Sequence, residues 1–249
     1  MDDRWKETFA AWAATDEYAE RINRAKNFCR DAASGGAYTA FSGGKDSTVL
    51  LHMMCAAGQP VAIHWDFGRP AYKRGNIIPQ EMADEIDAIA ITCGAELHVV
   101  TSHTNWPNAE AACASHPSAG VTVHVSDGHG HWIQGCHNVG RQLGYEAVAV
   151  GLRSEESLKR ARRIRAGIHL GDMREYWPVA HLTEMDVWAY IVQHDLPYLS
   201  AYESKARLNG GYLGLRMTSL FRERSGSGID ASALDGVLQW RHKYSELIQ

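Results

Sequence analysis

The stretch that most constrains this chain is Phe41-Ser42-Gly43-Gly44-Lys45-Asp46-Ser47, set between an apolar run ending Tyr38-Thr39-Ala40 and a helical pattern opening at Thr48-Val49-Leu50-Leu51. Two adjacent glycines permit a sharp turn and let backbone N–H groups approach an anion that a Cβ would hold away. Ser42 and Ser47 add hydroxyl donors, and Lys45 adds a mobile positive charge. The helix that follows points its positive end at the same place. Asp46 is suited to cap that helix, so its carboxylate need not face the ligand. The Walker spacing is absent, because no glycine stands at the required distance before Gly44-Lys45 and Asp46 replaces the helix-opening Ser or Thr. A phosphate loop of another kind is expected.

Hydrophobic periodicity around the loop predicts a helical lead-in from Asp3 to about Ala33, with Trp5, Phe9, Trp12, Tyr18, Ile22 and Phe28 inward. Strands are expected at Ala37 to Phe41, Val61 to Trp65, Glu96 to Val100 and Ala147 to Val150, with a further one at Tyr176-Trp177-Pro178-Val179. Helices are expected at Asp46 to Ala57, Pro79 to Cys93, Ile133 to Leu143 and Glu184 to His194, the last capped by Thr183. The alternation implies an α/β fold: a Rossmann-like parallel sheet of about five strands with helices on both faces. From Thr101 to about His131 the pattern dissolves into a long loop or excursion, with a short helix near Ala109. After Leu196-Pro197-Tyr198 the chain reads as loop-rich until a terminal helix near Ser232 to Leu247. These readings divide the chain into a helical lead-in over 1–34, an α/β domain over 35–200 and a loop-rich C-terminal extension with a helix over 201–249.

In an open parallel sheet, ligands bind beyond the C-terminal ends of the strands. Three motifs sit at such ends: the Gly-Gly-Lys loop, Asp66 in Asp66-Phe67-Gly68, and Gly151-Leu152-Arg153-Ser154-Glu155-Glu156-Ser157. The last opens a segment crowded with Lys159, Arg160, Arg162, Arg163 and Arg165, which suits a polyanionic ligand or, balanced by Glu155 and Glu156, a solvated helix face.

With 249 residues, 45% of them hydrophobic, the chain can bury a sizeable core. A net charge of −4 gives no general reason to expect a nucleic-acid surface. No apolar run is long enough for a membrane span, and the charged start Met1-Asp2-Asp3-Arg4-Trp5-Lys6 lacks a signal-peptide core, so a cytoplasmic location is expected. Five scattered cysteines predict reduced thiols; Cys29, Cys55 and Cys93 are expected to be inert and buried, and Trp65, Trp177 and Trp188 to be core residues.

Ser42-Gly43-Gly44-Lys45-Asp46-Ser47 resembles the signature of the PP-loop ATP pyrophosphatases, a branch of the adenine nucleotide α-hydrolase fold. Gly151-Leu152-Arg153 with Glu156-Ser157 and Arg160 is similar to the second signature of the phosphoadenosine phosphosulfate reductase family, as are Trp177-Pro178-Val179, Thr183 to Ile191 and Leu196-Pro197-Tyr198. The resemblance covers roughly residues 35 to 200. It implies an adenine nucleotide, ATP or a sulfonucleotide, with phosphates on Ser42, Gly43, Gly44, Lys45, Asp46 and Ser47. It further implies nucleotide contacts from His64, Asp66, Gly151, Glu156 and Ser157, with Asp66 close to the nucleotide or its Mg²⁺. Lys45, Asp46, Arg153 and Arg160 become the catalytic candidates, the two arginines meeting phosphate or sulfate oxygens.

The chain departs from the reductases of that family, which use a cysteine in a C-terminal tail. Here nothing from His137 to Gln249 supplies a thiol. With its phosphate loop intact, the chain is expected to cleave ATP between the α and β phosphates and transfer the adenylyl group to an unidentified acceptor in sulfur metabolism. The alternatives are reduction of a sulfonucleotide with an external thiol, and a nucleotide-binding regulator or subunit without chemistry. Either a homo-oligomer or a partner subunit is compatible, no membrane is implied, and no iron–sulfur cluster is expected.

Seven histidines fall between His98 and His137, and Cys113, His116, His129, His131, Cys136 and His137 form a candidate zinc set without paired Cys-x-x-Cys spacing. Substrate contact by His129, His131 or Trp132, and a plain solvated or subunit-contacting loop, are competing readings. Arg216, Arg222 and Arg224 would fold over the nucleotide or face another subunit or nucleic acid.

Overall fold

Strand β1 (Ala37–Ala40), which feeds the phosphate loop, is buried on both faces, which is why it reads as a short apolar run without alternation. A computed structural model describes residues 1–68, 78–126 and 132–215. Its sheet has the order β4-β3-β2-β1-β5-β6, with β2 (Val61–Trp65), β3 (Glu96–Ser102), β4 (Val121–Ser126), β5 (Ala147–Val150) and β6 (Arg174–Tyr176), every neighbouring pair parallel. Thr39 lies opposite both Ala62 and Ala149. The shared direction brings the ends of β1, β2 and β5 to one edge, and with them the phosphate loop, Asp66 and Gly151.

Six strands replace the expected five. The additional one, β4, falls in the histidine-rich stretch read as a loop, where Val121, Val123 and Val125 alternate with Thr122, His124 and Ser126. Its position at the sheet edge leaves it mostly half-buried, so polar residues are tolerated and the apolar signal is diluted. The short helix near Ala109 is α5 (Ala109–Ala114). At the other edge, β6 ends at Tyr176, so Trp177-Pro178-Val179 is a turn rather than strand, as the proline's missing N–H favours.

The helical lead-in divides into α1 (Asp3–Ala13) and α2 (Asp16–Ser34), because Thr15 breaks off to cap the second: its hydroxyl accepts the Tyr18 N–H at 3.2 Å. Phe9, Tyr18 and Ile22 are buried as expected, whereas Phe28 is 39% exposed and lies edge-on to His181. Helices α3 (Lys45–Ala56), α4 (Gln80–Thr92) and α8 (Glu184–Gln193) join α1 and α2 in the main core around Leu50, Met54, Leu97 and Trp188. The smaller cluster on the opposite face holds Tyr38, Ile63, Val100 and Val148 against Cys136 and Val139 of α6 (Trp132–Gln142). Each fully buried side chain of this size contributes about 1.5–3 kcal/mol before the entropy of ordering is subtracted.

The segment after Ser200 is not loop from its start. Helix α9 (Ala201–Asn209) packs Tyr202 and Ala206 into the main core, and Tyr212 stacks edge-on with Trp188. The expected terminal helix near Ser232 to Leu247 lies outside the described residues.

Candidate functional site

The phosphate loop is held open by its own side chains. Ser47 Oγ accepts the Ser42 N–H at 3.2 Å, lies 3.0 Å from Ser42 Oγ and donates to the Gly44 carbonyl at 2.9 Å. Gly43 has φ +77°, and a Cβ there would lie 2.5 Å from Ile86 Cγ1, so α4 backs the turn directly. Gly44 is the N-cap of α3 and offers no side chain to the first-turn donors. The Lys45 N–H donates to the Tyr202 hydroxyl at 3.2 Å, while among the described residues the N–H groups of Gly43, Asp46 and Ser47 have no acceptor. Free donors at the positive end of a helix form an anion cradle.

Asp46 does not cap the helix as expected. It sits within the first turn of α3, and its Oδ1 accepts from Arg153 Nε at 2.5 Å. Burial alone would raise this carboxyl, but the charges of Lys45 and Arg153 outweigh it and hold it below the usual carboxylate range. Arg153 is buried and also donates to Glu155 at 2.7 Å, so its guanidinium links the second strand-end motif to the phosphate loop. Gly151 completes the junction: a Cβ there would come within 3.0 Å of the Ser47 backbone.

The rest of that motif is organised around itself. Glu156 accepts the Arg153 N–H at 3.2 Å and pairs with Arg160, and Ser157 caps α7 (Leu158–Ala166) through the Arg160 N–H at 3.2 Å. Arg160, with its side chain 36% exposed, is the more accessible of the two catalytic arginine candidates. Helix α7 buries none of its side chains.

Lys45 is not the mobile charge its place in the loop suggests. It is 2% exposed, with Nζ donating to the Leu215 carbonyl at 2.9 Å and lying 3.3 Å from Glu184 and 3.5 Å from Asp46. Glu184 also accepts the Gly214 N–H at 2.6 Å. The amine therefore ties the chain around 214–215 to the loop. Sequence reading missed these partners, and it missed Lys205, one turn after Tyr202 on α9, which is 7% exposed with its amine pushed down to about 7 by burial and by the nearby Lys45 charge. The three-residue spacing of Tyr202 and Lys205 was the available signal.

At the end of β2, His64 Nδ1 donates to the Phe41 carbonyl at 3.0 Å, while Nε2, buried, has no partner. Burial pushes its pKa down, against the pull of Asp66, which favours the neutral ring with Nε2 as an open acceptor. Asp66 is 1% exposed, with Oδ1 accepting the Gly68 N–H at 3.0 Å and Oδ2 lying 3.3 Å from His116 Nε2. Buried and turned toward Gly68 and His116, the carboxylate offers a Mg²⁺ ion no solvent-facing oxygen.

The zinc candidates among the described residues do not converge. His116 is held between Asp66 and Asp87, His137 bonds Asp172 at 2.9 Å, Cys136 is buried in the smaller core with its thiol pushed up to about 12, and Cys113 is exposed on α5. His129 and His131 lie outside the described residues, among which no group of three or more His, Cys, Asp or Glu side chains could hold a metal ion. Arg216, Arg222 and Arg224 also lie outside them.

Residues 36–216 match the family described as the phosphoadenosine phosphosulfate reductase domain, well over half of the chain. The chain belongs to this family. Among curated members it is 26% identical over 193 residues to the sulfate adenylyltransferase subunit 2 of Rhizobium meliloti (strain 1021), covering 67% of this chain and 60% of the relative. The subunit 2 of Burkholderia lata is 27% identical over 201 residues, with 67% and 61% covered, and that of Sulfurovum sp. (strain NBC37-1) 26% over 210 residues, with 71% and 63% covered. The chain thus spans about three fifths of the length of these family members. A solved NMN synthetase from Francisella tularensis aligns over 93% of this chain and 96% of its own at 13% identity, with a TM-score of 0.43, which is too low to argue from.

Proposed function

We propose that the chain binds ATP at the edge formed by β1, β2 and β5 and transfers its adenylyl group to an oxygen of a small anionic acceptor. Sulfate is the first acceptor to consider, because the curated relatives are named for sulfate adenylyl transfer. The observation that carries this reading is the row of unpaired N–H groups on Gly43, Asp46 and Ser47 at the positive end of α3. They are placed to hold a polyphosphate, and the neutral His64 Nε2 offers an acceptor to an amino or hydroxyl group of the nucleoside.

In the reaction an acceptor oxygen attacks the α-phosphorus, the bond from the α-phosphorus to the bridging oxygen breaks, and pyrophosphate leaves with that oxygen and the bonding electrons. The loop N–H groups stabilise the charge that grows on pyrophosphate, and they do so without reorganising. Arg160, paired with Glu156 and partly exposed, is the arginine proposed to meet the phosphates or acceptor, while Arg153 holds Asp46 and with it the loop. The role proposed for Lys45 is to anchor the 214–215 segment. Mg²⁺, when bound, would supply charge neutralisation on the phosphates. A partner subunit is part of the proposal, since the relatives are named as one subunit of an enzyme. Cys136, buried with its thiol pushed up to about 12, does not supply a nucleophile for reduction of a sulfonucleotide, so that alternative requires an external thiol.

The test is pyrophosphate release from ATP with sulfate, alone and with a candidate partner subunit added. Folded, ATP-binding protein that released none with any anionic acceptor would falsify the transferase reading.

A further inference from the structure

Asp66, Asp87 and His116 come from three separate elements: the end of β2, the middle of α4 and the turn after α5. Their side chains are almost fully buried, at 1%, 0% and 1% exposure. His116 Nδ1 lies 3.0 and 2.9 Å from the two Asp87 oxygens, and Nε2 lies 3.3 Å from Asp66 Oδ2. An ionised carboxylate only accepts hydrogen bonds, so when both carboxylates are ionised each ring nitrogen donates and the imidazolium is the form that this geometry holds. A charge buried this deeply is tolerated because it is paired on both sides.

The arrangement determines what Asp66 can do. Its N–H donates to the Val100 carbonyl at 2.8 Å, and its carbonyl accepts from Thr101 Oγ1 at 2.8 Å and Asn105 Nδ2 at 3.1 Å. Oδ1 takes the Gly68 N–H, and Oδ2 faces His116. Every polar atom of the residue is therefore used in fixing the turn Asp66-Phe67-Gly68. That turn presents Phe67, 42% exposed, at the sheet edge where the phosphate loop opens. Asp87 follows Ile86, the side chain that backs Gly43, so the helix holding His116 also supports the loop.

We propose that His116, braced by Asp87, is a positioning residue: it locks the Asp66–Gly68 turn against α4, and this lock, rather than a metal contact, is what Asp66 contributes to the nucleotide site. The inference rests on reading this edge as a nucleotide site. Neither Asp87 nor His116 belongs to the motifs that identify the family in the sequence. Among the described residues, titratable neighbours include His64, whose pKa burial pushes down, and the two carboxylates already named. Burial lowers the His116 pKa, but hydrogen bonds and charge from Asp66 and Asp87 outweigh it and raise it overall.

Three measurements test the lock. In the unaltered protein, nitrogen-15 spectra of the imidazole should show both His116 nitrogens protonated at pH 7; a neutral tautomer would overturn the proposal. In His116→Gln and Asp87→Asn, amide exchange should rise about tenfold or more at Phe67 and Gly68 while Ile63 and Ile89 stay protected. Asp84→Asn, an exposed change on the same helix, should leave the turn as it was. Exchange that rises throughout α4 and β2, or not at all at the turn, would mean that His116 has no specific role there. Finally, the dissociation constant for ATP should rise about tenfold in His116→Gln and Asp66→Asn, equally with Mg²⁺ and with a chelator. A loss seen only with Mg²⁺ would make Asp66 a metal ligand and sink the idea. If the unaltered protein bound no ATP, the functional reading would fall, and the exchange and imidazole measurements would still decide the lock.

Discussion

Arg153 Nε donates to the Asp46 carboxylate across 2.5 Å, joining the ends of β5 and β1 through one ion pair between residues 107 positions apart. The guanidinium is 3% exposed and the carboxylate 14%, so neither charge is well solvated once the other is removed. Arg153→Met should cost about 2–4 kcal/mol in urea unfolding, because it removes one partner of a poorly solvated pair. The Asp46 pKa is lower in the folded than in the unfolded state. The pair's contribution is thus present above the unfolded value of about 3.9 and is lost as acid carries the pH through the folded value. Arg153→Met should flatten that acid limb; an unchanged limb would mean that another carboxylate governs it.

Gly151 touches the same junction through backbone alone. Gly151→Ala would set a Cβ 3.0 Å from Ser47 N and Cα and 3.1 Å from the Asp46 carbonyl carbon, none of which can move aside as a side chain would. A loss of about 1–3 kcal/mol is expected, with weakened ATP binding. At Gly44 the nearest atoms to a Cβ are 3.5 and 3.6 Å away, both on side chains, so Gly44→Ala should stay within about 0.5 kcal/mol of the original stability. Calorimetric melting of both variants checks the contrast.

Lys45 separates a phosphate ligand from an anchor. With its amine bonded to the Leu215 carbonyl and beside Glu184, Lys45→Met should speed amide exchange at 212–215 and leave ATP affinity within about threefold. A loss of tenfold or more for ATP but not for adenosine would mean that the amine leaves Leu215 for the phosphates.

His116 predicts an effect of opposite pH sign. Its pKa is higher folded than unfolded, so its stabilisation is fully present below about pH 6.5 and fades as the pH rises through the folded value. Unfolding free energies from urea titrations at pH 6 and pH 9 should differ by about 1–3 kcal/mol more in the original protein than in His116→Gln. Equal differences would assign the alkaline loss to other groups.

Much of the architecture was legible because each signal was local. Gly43-Gly44 between an apolar strand and a helix, and the run Ala147 to Val150 ending at Gly151, mark strand ends that a parallel sheet must bring together. Strand β4 was hidden because an edge strand needs only one partner and half its burial, so His124 and Thr122 could interrupt the apolar pattern. The division at Thr15 was readable in principle from its capping chemistry, yet the unbroken helical spacing on both sides masked it.

The sequence by itself determined the glycine turn between β1 and α3, the parallel α/β order and the family, because turn chemistry, hydrophobic period and short motifs are written in consecutive residues. Tertiary structure alone decided which charges face which. It gave Asp46 to Arg153, Lys45 to Leu215 and Glu184, and His116 to Asp66 and Asp87. Electrostatic partnership depends on distance and burial, and residues 29 to 170 positions apart meet only when the sheet has formed.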